Sequence, residues 1–153
     1  MKKLFTIGLA GALALACTAA PASAEISEFE DYEFSDAVWQ MTTVKLDPGQ
    51  FETYLEGLQA TWIASNDVAK SLGQIEDYAI YTNMAPAGDS FDLILMIKMP
   101  STESMSVSKQ RYDAFMDAYG KANIDQGNKT VVELYNQIRE IQGVYLLREV
   151  SMK

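Results

Sequence analysis

Apolar and polar residues alternate along residues 91–99, a segment that follows the turn sequence Ala87-Gly88-Asp89-Ser90 and precedes Pro100. Every second residue from Phe91 points to one face of a strand, and all five of these residues are apolar. The opposite face is half apolar and carries Asp92, Ile94, Met96 and Lys98. The pattern is typical of a strand in the middle of a sheet with both faces at least partly covered.

Three further segments predict strands because β-branched and aromatic residues are frequent in them: residues 38–46, 75–83 and 144–150. Apolar residues at helical spacing predict a helix over residues 51–72. Asp47 is expected to cap this helix, Pro48 to take its first position, and Gly73 to end it.

A second helical region is expected to begin at Pro100-Ser101-Thr102 and to weaken at Gly120. A polar break over residues 123–128 follows, and Asn128 is expected to cap a shorter helix that Gly143 closes. The apolar faces of the two helices are predicted to be Met105, Tyr112, Phe115, Met116 and Tyr119, then Val131, Leu134, Tyr135, Ile138 and Ile141.

The resulting element order is β-α-β-β-α-(α)-β, which is the order of an α+β, ferredoxin-like fold. Such a fold has an antiparallel sheet with its helices on one face, and an extra short helix precedes the last strand here. Both alternating sets of strand residues are apolar, so the face of the sheet away from the helices is apolar whichever set it carries. We therefore expect another protein surface or a ligand to cover it. The candidate residues of this face are Trp39, Met41, Tyr78, Ile80, Ile94, Met96, Tyr145 and Leu147.

Residues 1–24 have the pattern of a bacterial secretory signal, with Lys2 and Lys3 before an apolar segment and Ala22-Ser23-Ala24 at the cleavage position. We therefore predict a periplasmic or secreted protein with an acidic arm over residues 25–37 and one domain over residues 38–153. Cys17 leaves a lipoprotein signal as an alternative, although Ala14 stands where such signals usually have leucine.

The acidic arm contains six acidic residues among residues 25–36, interleaved with Ile26, Phe29, Tyr32 and Phe34. This composition predicts a solvated, loosely held segment. The alternative is a docking segment that places its aromatic side chains on a partner.

The charge and the missing residue types exclude several functions. Loss of Lys2 and Lys3 with the signal leaves ten basic and 21 acidic residues, a net charge of −11, which disfavours nucleic acid and anionic lipid as partners. The chain has no histidine, and Cys17 is its one cysteine. Cys/His zinc sites, histidine-ligated haem, Ser-His-Asp triads and cysteine nucleophiles are therefore excluded, and we predict no metal, no cofactor and no catalytic constellation.

The element order and the doubly apolar sheet over roughly residues 38–150 resemble the dimeric α/β-barrel superfamily, which includes stress-responsive barrel proteins and antibiotic-biosynthesis monooxygenase-like domains. The resemblance implies a homodimer in which two sheets meet face to face and enclose a barrel. Several members act through a histidine in the cleft or bind haem through one, and this chain departs from them in having none.

Candidate ligand-binding residues lie on the predicted strands or directly after them: Trp39, Met41, Tyr78, Met96, Lys98 and Arg148. Two interpretations of Lys98 stay open. Its amine lies in the cleft, either as a cation or with a depressed pKa, or its ammonium group reaches water at the edge of the sheet. Arg148 and Glu149 are predicted to lie on opposite faces of the last strand, so one of them is expected to be half-buried. A structural ion pair or a contact with a ligand would then stabilise its charge.

Three functions remain open from the sequence. The first is a small-molecule-binding or accessory protein that holds an apolar or aromatic ligand in the dimer barrel. The second is a structural or interaction protein with a filled barrel, and the third is a cofactor-free enzyme of the monooxygenase or cyclase kind. A cavity of a few hundred Å3 would favour a ligand over the filled barrel.

Overall fold

The computed structural model describes residues 25–153, so the predicted export signal and Cys17 lie outside the described residues. Six strands are present in this part of the chain: β1 (Tyr32–Phe34), β2 (Val38–Leu46), β3 (Asp77–Thr82), β4 (Leu93–Met99), β5 (Arg139–Leu147) and β6 (Val150–Met152). Four of them form an antiparallel sheet in the order β3-β4-β2-β5, and β1 pairs with β6 in a separate two-stranded sheet.

Two helical segments connect the strands of the larger sheet. The first runs through α1 (Phe51–Leu58), a π-helical turn (Gln59–Ile63) and α2 (Ala64–Ser71). The second contains a 3-10 turn (Thr102–Met105), α3 (Lys109–Tyr119), α4 (Lys121–Thr130), a π-helical turn (Val131–Tyr135) and α5 (Asn136–Ile138). This order and topology confirm the predicted α+β, ferredoxin-like fold.

The strand register assigns the two faces of the sheet. Val44 lies opposite Leu93, and Thr42 opposite Leu95, so these residues share a face. That face lies under the helices, where Leu93 and Leu95 are buried. It forms the core with residues of both helical segments: Val44, Leu46, Tyr54, Leu58, Leu93, Leu95, Tyr135 and Ile138.

The first helix ends as predicted but begins differently. Gly73 has a φ of +67°, its N–H bonds to the Lys70 carbonyl, and the next N–H bonds to the Ala69 carbonyl, which is the Schellman pattern. The predicted cap at Asp47 and the helical position of Pro48 are wrong. Gly49, at a φ of +79°, turns the chain first, and the helix begins at Phe51 without a side-chain cap.

The predicted polar break over residues 123–128 is wrong, because α4 passes through it. Its polar residues face solvent, and the pairs Lys121–Asp125 and Lys129–Glu133 stand one helical turn apart, where they support a helix. The chain turns earlier, at Gly120, which has a φ of +85°. Asn128 therefore lies inside the helix instead of capping one.

The last long strand begins five residues earlier than predicted, because Arg139 and Glu140 already pair with β2. Gly143 therefore lies within β5 and does not end a helix. A bulge between Thr43 and Val44 shifts the register there. The ring of Tyr145 covers Gly143, where an added Cβ would lie 2.6 Å from the Tyr145 Oη.

The acidic arm is only partly the loose segment that its composition predicts. Tyr32–Phe34 pair in register with Val150–Met152. The Lys153 ammonium also lies 3.1 Å from the Glu33 carboxylate. Tyr32 and Phe34 of the arm thus belong to a small sheet formed with the last residues of the described chain, whereas Phe29 lies outside it and is exposed.

Candidate ligand-binding site

A cavity of about 370 Å3 lies between the two helical segments, on the helix side of the sheet. Aromatic and aliphatic side chains form most of its wall, and its polar groups are hydroxyls, amides and one guanidinium. The lining residues are Leu58, Thr61, Trp62, Ser65, Phe115, Tyr119, Asn123, Ile124, Gly127, Asn128, Val131, Tyr135 and Arg139. The wall contains no carboxylate.

The two π-helical turns meet at this cavity through Thr61 and Tyr135. Their hydroxyl oxygens are 2.8 Å apart, and the Thr61 hydroxyl is also 2.8 Å from the Gly57 carbonyl. Because a hydroxyl has one proton, Thr61 donates to Gly57 and Tyr135 donates to Thr61. π-Helical turns are rare and frequently mark functional sites, and here both help to form one wall.

Gly57 makes room for the Tyr135 ring. An added Cβ at Gly57 would lie 2.6 Å from the Tyr135 Cε1 and 2.8 Å from its Oη. Tyr135 is only 2% exposed, and its ring meets the Tyr54 ring edge to face at 5.1 Å. Gly57, the last residue but one of α1, thus has a packing role at the base of the site.

Arg139, the first residue of β5, extends from the sheet over these tyrosines. Its guanidinium lies 4.5 Å from the centre of the Tyr135 ring and 5.4 Å from that of Tyr54, and it donates to the Tyr54 hydroxyl. Burial raises the pKa of Tyr54 and of Tyr135, although the nearby guanidinium opposes both shifts. Both phenols therefore stay neutral at neutral pH, and Arg139 supplies the positive charge of the site.

The opposite wall is held by α3 and the start of α4. The Tyr119 hydroxyl lies 3.4 Å from the Thr61 carbonyl, and the Asn123 amide donates to the Tyr119 carbonyl. Phe115 stacks against Tyr119 at 5.2 Å. These contacts bring an aromatic wall within reach of the Thr61–Tyr135 pair.

Four of the predicted ligand-binding residues come together on the other, open face of the sheet. Met41 lies opposite Met96, and Trp39 lies opposite Lys98. Lys98 forms an ion pair with Glu76 at 2.8 Å, and its ammonium lies 5.9 Å from the Trp39 ring. The hydrogen bond that the Lys98 ammonium donates to Glu76 raises the pKa of Lys98, so the option of a depressed pKa is wrong.

Tyr78 lies on the helix side and not with these four residues, because its register partner is Ile97. Its ring meets the Trp62 ring edge to face at 5.3 Å, and its hydroxyl donates to Asp67. That hydrogen bond, with partial burial, raises the pKa of Tyr78 to about 12. Ile80 also lies on the helix side, opposite Leu95.

Arg148 is also separate from the four. It follows the end of β5, is exposed, and donates to the Ser35 carbonyl at 2.8 Å while its guanidinium lies 5.2 Å from the Phe34 ring. The predicted structural ion pair is wrong, since neither Arg148 nor Glu149 has an oppositely charged side chain within 4.0 Å among the described residues. Arg148 instead joins the two small strands to the main sheet.

Neither the cavity between the helical segments nor its polar residues Thr61 and Arg139 are predicted from the sequence. The sequence places Tyr135 on an apolar helix face. The one signal in the sequence is Gly57. A glycine inside an otherwise regular helical pattern indicates that another group packs closely against the helix there, or that the position has a function.

Two further properties bear on the function. No group of three or more Asp, Glu, His or Cys side chains within residues 25–153 is placed to hold a metal ion. No helix in the same part of the chain has the length and apolar character needed to cross a membrane.

No sequence-family model matches the chain, and no curated protein does. Among solved structures, HapK from Hahella chejuensis is 12% identical with a TM-score of 0.45, and the match covers 73% of this chain and 91% of HapK. A NIPSNAP family protein of unknown function from Agrobacterium tumefaciens is also 12% identical with a TM-score of 0.45, covering 76% of this chain and 89% of that one.

A dimeric protein of unknown function with a ferredoxin-like fold from Bacteroides fragilis is 14% identical with a TM-score of 0.39, covering 78% of this chain and 99% of that one. The similar structures are thus ferredoxin-like proteins, as the resemblance implies. At these identities the likeness concerns the fold alone, and the fold assignment of this chain rests on its own strand order.

Proposed function

We propose that the protein binds a small apolar or aromatic molecule in the cavity between its helical segments. The observation that carries this proposal is the cavity itself, about 370 Å3 in volume and lined mainly by aromatic and aliphatic side chains. Ligand sites are typically concave and apolar, with a few placed polar groups that fix orientation. The cavity lies on the opposite side of the sheet from four of the ligand residues that the sequence predicts, Trp39, Met41, Met96 and Lys98.

Gly127→Leu is expected to abolish binding while leaving the fold intact. Gly127 lines the cavity, and an added Cβ there meets nothing within 4 Å, so the leucine side chain has room to enter. Replacing glycine inside α4 also favours the helix by up to about 1 kcal/mol. Calorimetric titration with 2-naphthoate and its methyl ester measures binding, and thermal unfolding measures stability.

Gln126→Leu is the matched control, because the neighbouring residue is exposed and does not line the cavity. It is expected to bind both compounds as the wild type does. Failure of the wild-type protein to bind either compound would contradict the proposed function. So would binding by Gly127→Leu that equals that of the control.

We further propose that two copies of the chain associate through the open face of the sheet. This face carries Met41, Ile94 and Met96, which are half-buried, beside more exposed residues. Tyr81 is 55% exposed, Tyr145 48% and Leu147 41%. An apolar surface of this kind is characteristic of an interface, and a second copy supplies a matching surface.

We also propose that the chain is exported and processed after Ala24, on the sequence of its first 24 residues. Intact-mass measurement of the protein recovered from its native envelope is expected to give a chain that begins at Glu25. A mass corresponding to a lipid-modified chain that begins at Cys17 would contradict this proposal and indicate a membrane anchor.

A further inference from the structure

We infer that the cavity selects an aromatic molecule with one negatively charged group, such as a carboxylate, and that Arg139 binds that group. This inference rests on the proposed function, since it names the class of ligand for the same site. Three observations on the described part of the chain support it: the unpaired charge of Arg139, the free N–H donors of its guanidinium, and the residue types that line the cavity around it.

Ion pairs divide the basic residues of the described chain into two groups. Each of the seven lysines in residues 25–153 has a carboxylate within 4.0 Å, and none of the three arginines does. Of these arginines, Arg139 is the one that lines the cavity, where it is half-buried. A partly desolvated cation is stabilised by an anionic partner, and a ligand in the cavity is in position to supply one.

The Arg139 side chain keeps most of its hydrogen-bonding capacity. Within the described chain its guanidinium makes one hydrogen bond, to the Tyr54 hydroxyl. The guanidinium carbon lies over the Tyr135 ring, 4.5 Å from the ring centre, and this cation–π contact helps to hold the group in place. A guanidinium has five N–H donors in a planar fork, which matches the two oxygens of a carboxylate.

The composition of the cavity wall also favours an anion. Among the described residues, Arg139 is the single charged residue that lines the cavity, so no acidic side chain of this part of the chain competes for it there. Trp62, Phe115 and Tyr119 provide flat apolar surface for the rest of the ligand. A cationic ligand would meet Arg139 without a compensating carboxylate, and a neutral ligand would leave the guanidinium partly desolvated and unpaired.

The test compares 2-naphthoate with methyl 2-naphthoate, which has the same ring system and no charge. The wild-type protein is expected to bind the acid about 10- to 100-fold more tightly, the range of a charge-assisted hydrogen bond. Arg139→Gln is expected to weaken binding of the acid by a similar factor and to change binding of the ester less than about threefold. Calorimetric titration measures all four affinities.

Two variants control for folding and for general charge. Arg139→Lys keeps the charge and loses the planar fork, so it is expected to retain a reduced preference for the acid, which also covers the case in which Arg139→Gln unfolds. Arg148→Gln removes an exposed arginine that does not line the cavity, and it is expected to bind both compounds as the wild type does.

The outcomes separate the two proposals. Equal affinities for acid and ester in the wild type, or an acid preference that survives in folded Arg139→Gln, would overturn the inference and leave the proposed function standing. Binding of neither compound would overturn both. An acid preference lost equally in Arg148→Gln would show a general charge effect and would also overturn the inference.

Discussion

Met96→Asp is expected to convert a homodimer into a folded monomer. Met96 lies on the open face of β4, and the register places Met41 on one side of it and Ala79 on the other. Burying an unpaired carboxylate between two sheets is strongly unfavourable, whereas in the free chain the same carboxylate meets water. The helix side of the sheet is untouched, so the fold is retained.

Leu95→Asp is the matched control at the next position of the same strand. Leu95 is 5% exposed and belongs to the core beneath the helices, so a carboxylate there is expected to prevent folding altogether. The two substitutions introduce the same side chain one residue apart, and only the face of the sheet differs. The expected results are therefore a monomer and an unfolded chain.

Sedimentation and circular dichroism measure the two results at ~10 µM, a concentration above the dissociation constants of typical stable dimers. The apolar area of the open face corresponds to a stabilisation on the order of 10 kcal/mol at ~25 cal/mol per Å2, if several hundred Å2 become buried. A wild-type protein that sediments as a monomer under these conditions would contradict the proposed dimer.

Gly57→Ala is expected to destabilise the fold by about 1–3 kcal/mol, the usual cost of forcing an extra methyl group into a packed core. The added carbon would meet the Tyr135 ring, which is held by its hydrogen bond to Thr61 and by its contacts with Tyr54 and Arg139. Alanine inside a helix is otherwise favourable by about 0.5–1 kcal/mol relative to glycine. A decrease in the free energy of unfolding would thus show that the Tyr135 ring is fixed, and an increase would show that the ring can move aside.

A double-mutant cycle isolates this contact. In a Tyr135→Leu background the clashing ring is absent, and Gly57→Ala is expected to become neutral or stabilising. Denaturant unfolding of the four proteins measures the coupling. Equal effects of Gly57→Ala in the two backgrounds would contradict the close approach, and with it the packing of the two π-helical turns.

The site combines a fixed polar base with an apolar wall formed by a different segment. The base is formed by Thr61 from the first helical segment, Tyr135 from the second and Arg139 from β5. The Tyr135 side chain contacts both of the others. Phe115 and Tyr119 face this base from α3. Binding at this cavity leaves the open face of the sheet available for association of two copies.

The fold was predictable because its signals are local and repeated. β-Branched residues over residues 38–46 and a period-two pattern over residues 91–99 predict the two central strands, and the helical spacing from Phe51 onward predicts the helix that covers them. The division of residues 91–99 into two alternating sets follows from one strand alone, but the choice of the set that the helices cover does not. The faces of Tyr78 and Ile80 depend on the register with β4, which the sequence leaves open.

The boundaries that failed are those decided by distant partners. Residues 123–128 are polar enough to suggest a loop, yet i,i+4 ion pairs and contact with the first helical segment keep them helical. Arg139 and Glu140 lie in a strand because β2 offers pairing partners 93 and 95 positions earlier in the chain, at Leu46 and Lys45 respectively. Gly143 has the residue type of a helix end, but it stands beneath the Tyr145 ring within β5.

The sequence by itself determined the element order, the doubly apolar sheet and the absence of histidine chemistry, because these depend on local spacing and on residue types alone. Only the tertiary structure decided where a ligand has room to bind. The cavity exists because Thr61, Tyr135 and Arg139 meet across 74 and 78 positions of the chain, counted from Thr61. The volume left between packed side chains depends on how distant segments fit together, and no local pattern of residues encodes it.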